Sequence, residues 1–382
     1  MKIMIIPHLP NALRAKPIAR TFAEQGHEVH LITWSMPYPL NWATIADNFR
    51  NSWRRSDTSD QGVLVHKVRR LPLICPPINR WWFKRQISSL FDRYELDLVF
   101  SETYFSETEP PLDLPLYYDM SDEYEAFAEI YGSRFYKLAF RLLSVHSTIR
   151  NQIVRSNAVF CVSDDLMVYA KNDRTDGVYK FPNGVEDWAF DLPYLTGKKY
   201  SLVYVTTYGK WSKVLPLIKV VTDLRSDIAD ITLTLIGDGP EVPEAKRYVE
   251  ANNLSGFVTF KGNVTDRQEL FTHINQHEVC LNISEKNRFR DAASPMKVFE
   301  YSALAKKIVS SELKEVKALD FANVFFFDND KWETSLKEAI QVAFISEIDP
   351  KAVRDEAARY SWPVLLNRAE EIFRETLRTD AP

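Results

Sequence analysis

Short apolar runs alternate with amphipathic stretches along the first third of the chain. Residues 2–7, 29–33, 96–100, 116–118 and 158–162 are near-continuous apolar runs of strand length, the pattern of strands buried on both faces. Residues 15–25 carry apolar positions at helical spacing and stop at Gly26, and residues 134–157 read as helix. The rhythm then restarts. Strands are predicted at 201–206, 231–236, 258–261, 279–283 and 307–310, with helices at 214–226, 243–252, 267–275 and from Pro295 onward. Strands alternating with helices imply right-handed βαβ units and parallel sheets. A restarted pattern implies two Rossmann-like lobes: 1–187 and 200–361, joined by a turn-rich hinge at 188–199 that holds Pro193 and Gly197. A last amphipathic helix, within 362–382, is expected to pack back on the first lobe. Two such lobes facing across a cleft hold a ligand at the carboxyl ends of their strands, so site residues are sought just after strands.

Length agrees, since 382 residues exceed one ordinary domain. Composition is ordinary globular, 45% hydrophobic and 26% charged, and the net charge of −4 gives no bulk attraction to nucleic acid. An anionic ligand therefore needs a local cationic cluster. Three distant cysteines, Cys75, Cys161 and Cys280, form neither a disulfide framework nor a zinc ribbon, which points to a reducing, cytoplasmic setting. The apolar run at the start is too short for a signal peptide, and no stretch approaches the ~18 apolar residues of a spanning helix. With only 11 glycines, phosphate-binding glycine loops should be scarce. Pro7-His8-Leu9-Pro10-Asn11 stands where a nicotinamide dehydrogenase carries its glycine fingerprint, which disfavours that class.

The sharpest chemical signal is Ser294-Pro295-Met296-Lys297-Val298-Phe299-Glu300-Tyr301-Ser302-Ala303. Ser294 suits a helix cap and Pro295 the first helical position. Lys297 then lies in the first turn, where the helix dipole repels a cation. A diphosphate at that helix start accounts for it, because free backbone N–H groups already point there. Glu300 lies on the same face and suits a pair of vicinal hydroxyls. The competing reading is a solvated lysine and an ordinary surface glutamate.

This run, continuing Leu304-Ala305-Lys306-Lys307-Ile308-Val309-Ser310-Ser311, resembles the signature of family-4-like GT-B glycosyltransferases. Val162-Ser163-Asp164-Asp165-Leu166, Phe181-Pro182-Asn183-Gly184-Val185 and Leu235-Ile236-Gly237-Asp238-Gly239-Pro240 follow in the family's order, so the resemblance covers most of the chain. It implies transfer of a sugar from a nucleotide diphosphate, UDP first among them, to a lipid-linked or glycan acceptor, with no metal. Lys297 would hold the diphosphate and Glu300 the ribose, next to Ser294, Pro295 and Met296. In the loop 206–213, with Thr207, relatives place an arginine and a lysine on the phosphates. Lys213 fits the lysine, Tyr208 stands in the arginine's place, and Lys210 is the substitute cation. Gly237 and Gly239 either admit the nucleotide or make a tight turn. Where many relatives carry a second glutamate, this chain has Ala292 with Asp291 beside it. Either Asp291 substitutes or the carboxylate is dispensed with, and retention of configuration stays open.

In the first lobe, Tyr117-Tyr118-Asp119-Met120-Ser121-Asp122 sets two carboxylates past a strand, similar to segments of the membrane-associated glucuronosyltransferases. Asp122 first and Asp119 second are candidate general bases if the reaction inverts; Ser121 or Asp122 as a helix cap is the other reading. His8 is a candidate acceptor contact. Asp328-Asn329-Asp330 reads as a turn and cap, not a metal motif. Basic and aromatic residues between Lys67 and Arg85 suit an anionic membrane surface, so peripheral docking is expected there, against a buried interlobe helix. A sugar-nucleotide epimerase and a non-catalytic nucleotide-sugar-binding subunit are the rival functions.

Overall fold

The computed structural model describes residues 1–10, 13–35, 52–71, 76–111, 113–132 and 134–379. They form two compact α/β units, one of Met1–Pro182 with the C-terminal residues from Trp362, the other of Asn183–Ser361. The junction falls at Pro182. Residues 188–199, expected as a hinge, lie within the second unit. There Trp188 packs 4.8 Å from the Phe271 ring, and Lys198 already opens a strand.

The first unit contains β1 (Lys2–Ile6), β2 (Glu28–Thr33), β3 (Ser56–Asp60), β4 (Val63–Lys67), β5 (Leu98–Ser101), β6 (Leu116–Met120), β7 (Ala158–Cys161) and β8 (Val178–Lys180). They pair in the order β3-β4-β2-β1-β5-β6-β7-β8, all parallel except the β3–β4 hairpin. The predicted apolar runs became the central strands, because β1, β5, β6 and β7 are covered on both faces. The β3–β4 hairpin was not anticipated. Every residue of β3 is polar and exposed, an edge strand with no hydrophobic signal.

The helical pattern at 134–157 is two helices, Arg134–Leu142 and Val145–Arg155. They break at Ser144, whose φ of 51° ends the first without a glycine or proline to announce it. The C-terminal helix Trp362–Thr379 packs in the first unit. Phe373 meets Tyr117, Phe22, Phe100 and Phe160, and the Tyr117 hydroxyl lies 2.6 Å from Thr376 Oγ1.

The second unit contains β9 (Lys198–Val205), β10 (Thr232–Ile236), β11 (Val258–Gly262), β12 (His277–Asn282), β13 (Lys307–Ser311) and β14 (Val324–Phe327), all parallel in the order β11-β10-β9-β12-β13-β14. Among the parallel strands described, the order of each sheet switches sides once: between β1 and β5 in the first, and between β9 and β12 in the second. Loops leaving neighbouring strands diverge at such a point and open a crevice at the strands' carboxyl ends.

Cys161 and Cys280 are buried free thiols, and Cys75 lies outside the described residues. Among the described residues no helix is long and apolar enough to cross a membrane.

Candidate functional site

In the second unit, every predicted donor-site residue falls in a loop or helix that follows β9, β10 or β12. Tyr204, near the end of β9, ties together the loops that leave β9 and β12. Its hydroxyl lies 2.8 Å from the Ile283 carbonyl past β12 and 3.2 Å from the Ser212 carbonyl past β9. Lys297 Nζ sits 5.2 Å above the Tyr204 ring and donates to the Val205 carbonyl at 2.8 Å. The expected first-turn lysine is therefore folded onto the end of β9 and half-buried. Burial, reinforced by the Arg290 guanidinium and only partly offset by Glu300, pushes its pKa down to about 8.

Arg290 was missed by sequence reasoning. It lies on the short helix Arg288–Asp291 after β12, with its guanidinium 5.7 Å from the Trp211 ring of the β9 loop. Its only sequence signal was a basic residue between a strand and the Ser294 helix. Lys210 is exposed in a 3-10 turn, while Lys213 Nζ stands 5.7 Å over the Trp332 ring. Thr207 is exposed on the same loop. Tyr208, in the position expected of an arginine, is a core residue whose hydroxyl donates to the Tyr204 carbonyl at 2.6 Å.

Three expectations about side chains change. Ser294 does not cap the helix Met296–Ala303, because Pro295 occupies the cap position. Ser294 Oγ instead accepts the Asn183 N–H at 3.1 Å, and the Asn183 side-chain amide donates to the Ser294 carbonyl. Met296 and Lys297 open the helix, and its bonds begin with Val298 N–H to the Pro295 carbonyl. The Glu300 carboxylate is buried and already engaged. Arg267 Nη2 donates to Glu300 Oε1 at 2.7 Å and grips Glu186 through two further bonds of 2.8 and 2.9 Å. Asp291 turns away from the missing-glutamate position, its carboxylate accepting the Lys314 N–H at 3.0 Å, while Ala292 is buried.

The glycines serve loop packing. A Cβ on Gly237, whose φ is +127°, would fall 1.9 Å from the Thr206 carbonyl oxygen, and one on Gly239 would fall 2.5 Å from that of Tyr208. Backbone bonds Tyr208 N–H to Asp238 O and Glu241 N–H to Tyr208 O, both 3.0 Å, then lock the β9 loop to the β10 loop.

In the first unit, Asp119 is sequestered. Arg14 clamps it with bonds of 2.8 and 3.1 Å, donates to the Phe181 and Pro182 carbonyls, and stacks on Phe181 and Trp362. Burial pushes the Asp119 carboxyl up to about 6 against the pull of Arg14. A carboxylate closed in this way cannot reach an acceptor hydroxyl. Asp122 is half-buried, and neither it nor Ser121 caps the next helix: Glu123 holds that position without a side-chain bond, and Ser121 Oγ lies 2.8 Å from the Tyr124 hydroxyl.

His8, at the β1/β5 reversal, has Nδ1 2.8 Å from Glu102 Oε1, a buried carboxylate just past β5. Its ring stands 5.6 and 5.9 Å from Tyr124 and Tyr104, which stack on each other at 3.5 Å. Burial lowers the imidazole pKa, but Glu102 with Asp122 and Asp119 outweighs it and holds the ring above its ordinary value.

The basic-aromatic segment is neutralised in part: Trp81 is 59% exposed, with the exposed Arg85 guanidinium 5.7 Å over its ring. Arg70 pairs with Glu107, Arg80 and Lys84 pair with Glu109, and Phe83 is core, packed against Trp34. Residues 72–75 of it lie outside the described residues. Asp328 Oδ1 accepts the Asp330 N–H as a cap of the turn before the helix Trp332–Ile345.

Residues 199–343 match the family Glycosyl transferases group 1. No curated protein matches the chain in sequence. Among solved structures, the chain is similar to a glycosyltransferase from Rickettsia africae, at 14% identity over 99% of this chain and 98% of that one, with a TM-score of 0.66. It is similar to WaaG, a glycosyltransferase involved in lipopolysaccharide biosynthesis, at 13% identity over 97% and 99%, with a TM-score of 0.67. HepE from Anabaena, solved in complex with UDP, aligns at 14% identity over 98% and 100%, with a TM-score of 0.62. Two parallel-sheet units give the chain the GT-B fold of these structures, and residues 199–343 of its second unit carry the match to Glycosyl transferases group 1.

Proposed function

We propose that the chain moves a hexosyl group from a UDP-sugar to a lipid-linked or glycan acceptor in surface glycan assembly. The observation that carries this is the set of cations on the β9/β12 crevice: Lys297 against the end of β9, Arg290 over Trp211, and Lys210 and Lys213 on the β9 loop. As the bond from the sugar's C1 to the diphosphate oxygen breaks, negative charge grows on the leaving group. Preorganised cations and the amides opening the helix Met296–Ala303 stabilise that charge, so no metal is assigned to the step. Glu300, fixed by Arg267, presents its second carboxylate oxygen to the ribose. On the first unit, the acceptor proton passes to Asp122, with Asp119 excluded by Arg14. The UDP on HepE and the lipopolysaccharide role of WaaG support the nucleotide and the acceptor class.

Incubation with labelled UDP-, GDP- and dTDP-sugars, with and without lipid-linked acceptor, tests the reading. Acceptor-dependent transfer from UDP-sugars is expected, and Asp122→Asn should lower kcat by about 10²- to 10⁴-fold with donor affinity unchanged. Acceptor-independent inversion at C2 would make the chain an epimerase, and binding without turnover would make it a non-catalytic subunit.

A further inference from the structure

The β3–β4 hairpin, at the edge of the first sheet, and the helix Pro76–Tyr94 enclose a recess of 200 Å³. β2 and β1 stand between the hairpin and the β1/β5 crevice, so the recess is separate from the candidate site. Three cations line it: Lys67 ends β4, Arg55 immediately precedes β3, and Arg93 lies in the last turn of the helix. The register sets Ser56 opposite Lys67, which brings Arg55 to the same end of the hairpin. Among the described residues none of the three cations is ion-paired. The carboxylate on the wall, Asp57, is committed to His66, whose Nδ1 lies 2.8 Å from Asp57 Oδ1. His66 Nε2 lies 2.8 Å from His30 Nδ1, and both rings pack against Tyr94.

Arg55 is held by a buried amide. Gln86 is 3% exposed and fills its hydrogen-bonding capacity. Its Oε1 accepts from Arg55 Nε at 3.2 Å and from the Arg69 N–H at 2.9 Å, while Nε2 donates to the Arg69 and Trp82 carbonyls at 3.0 and 3.1 Å. The helix dipole accounts for Arg93 in a last turn. Protection of the sheet edge falls to β3, whose residues are all polar and exposed. Neither reason accounts for Lys67 and Arg55 gathered with Arg93 on one concavity, where the three repel one another until an anion enters. Guanidinium forks and an ammonium around a small cavity match phosphoryl oxygens, and a divalent phosphate answers more of this charge than a carboxylate does. Among the described lining residues only Val68 and Leu90 are apolar, and neither is exposed, so nothing on the rim suits an acyl layer.

We propose that this recess binds the phosphoryl group of a soluble phosphate, inorganic or a monoester, with Arg55, Lys67 and Arg93 on its oxygens and the Ser89 hydroxyl as a neutral donor. The site stands apart from sugar transfer, since the proposed donor cations all lie in the second unit. An occupant joins the β3–β4 hairpin to the helix Pro76–Tyr94 across the recess, so binding stiffens both elements.

Calorimetric titration of the full chain with inorganic phosphate and with glycerol 3-phosphate, each at fixed ionic strength against sodium chloride, tests the site. Saturable binding with a Kd of about 1 mM or tighter is expected. Arg55→Gln, Lys67→Gln and Arg93→Gln should each weaken it about tenfold, the value of one charge-assisted hydrogen bond. Hydrogen exchange on the unmodified chain should show phosphate-dependent protection within residues 55–68 and 86–93, a readout that needs no variant. Absence of saturable binding, or variants that bind like the unmodified chain, would each overturn the proposal. Protection confined to the second unit would place the phosphate at the proposed donor cations and overturn it as well. An equal response to chloride would reduce the recess to charge screening. Binding to phosphatidic acid vesicles that Lys67→Gln abolishes, with none of glycerol 3-phosphate, would assign the recess to a lipid headgroup and end the soluble ligand.

Discussion

Lys297 meets opposed demands: burial favours its neutral amine, and a diphosphate favours the ammonium. With its pKa near 8 in the unliganded chain, it is mostly charged at neutral pH. On the proposed reading, donor binding supplies the missing counter-charge and raises that pKa, so proton uptake should accompany binding where the free lysine is neutral and the bound one charged. The sign follows. UDP affinity should hold below about pH 7 and fall as pH rises through 8, by up to about tenfold per unit until the bound-state pKa is reached. Calorimetry of UDP binding at pH 8.5, in buffers of different ionisation enthalpy, should register proton uptake by the unmodified chain and none by Lys297→Met. The variant should also bind about ten- to a hundredfold more weakly at neutral pH, the value of a charge-assisted hydrogen bond. The sequence made Lys297 legible because a cation in a first helical turn violates a local electrostatic rule. Arg290 broke no such rule and went unseen. The Arg267 grip on Glu300 was equally hidden, since it joins residues 33 positions apart on different helices.

At the scale of elements, Arg14 does for the first unit what the interlocked glycine loops do for the second. It follows the β1 loop, holds Asp119 of β6, and donates to the carbonyls of Phe181 and Pro182, where the chain leaves the unit. Arg14→Met would leave a buried carboxylate unpaired and two carbonyls without their donor, a loss of about 3–5 kcal/mol. Thermal unfolding of the first unit should then fall by roughly 10 °C. Asp119→Asn should lower the same transition by less and leave kcat nearly unchanged. A kcat collapse with an unmoved transition would instead return Asp119 to the chemistry. Central strands were readable because two-sided burial writes an uninterrupted apolar run, as in β1 and β7. The hairpin strand Ser56–Asp60 and the break at Ser144 were not, because exposed edges and left-handed residues other than glycine leave no periodic trace.

For the molecule as a whole, the chain path makes a sharp demand. Residues from Trp362 onward belong to the unit that the first 182 residues build, although the entire second unit intervenes in sequence. Trp362, Leu365, Leu366, Ala369 and Phe373 are all buried at 2% exposure or less, and Phe373 alone touches four aromatic rings. Truncating one buried Phe or Trp to Ala typically costs about 3–5 kcal/mol. Losing the whole helix exceeds the roughly 5–15 kcal/mol that holds an ordinary domain together. A chain ending at Ser361 should therefore lose the cooperative unfolding of the first unit. Residues 183–361, whose described core clusters contain no residue of that helix, should keep theirs. Calorimetry should show one surviving transition, and limited proteolysis should leave a resistant fragment beginning near Asn183. UDP binding should persist in the truncated chain while transfer to acceptor vanishes, because the proposed donor cations lie wholly in the second unit and the proposed base in the first. Loss of both units together would mean that the two cores are energetically one, and survival of both would mean that the helix contributes far less than its burial requires.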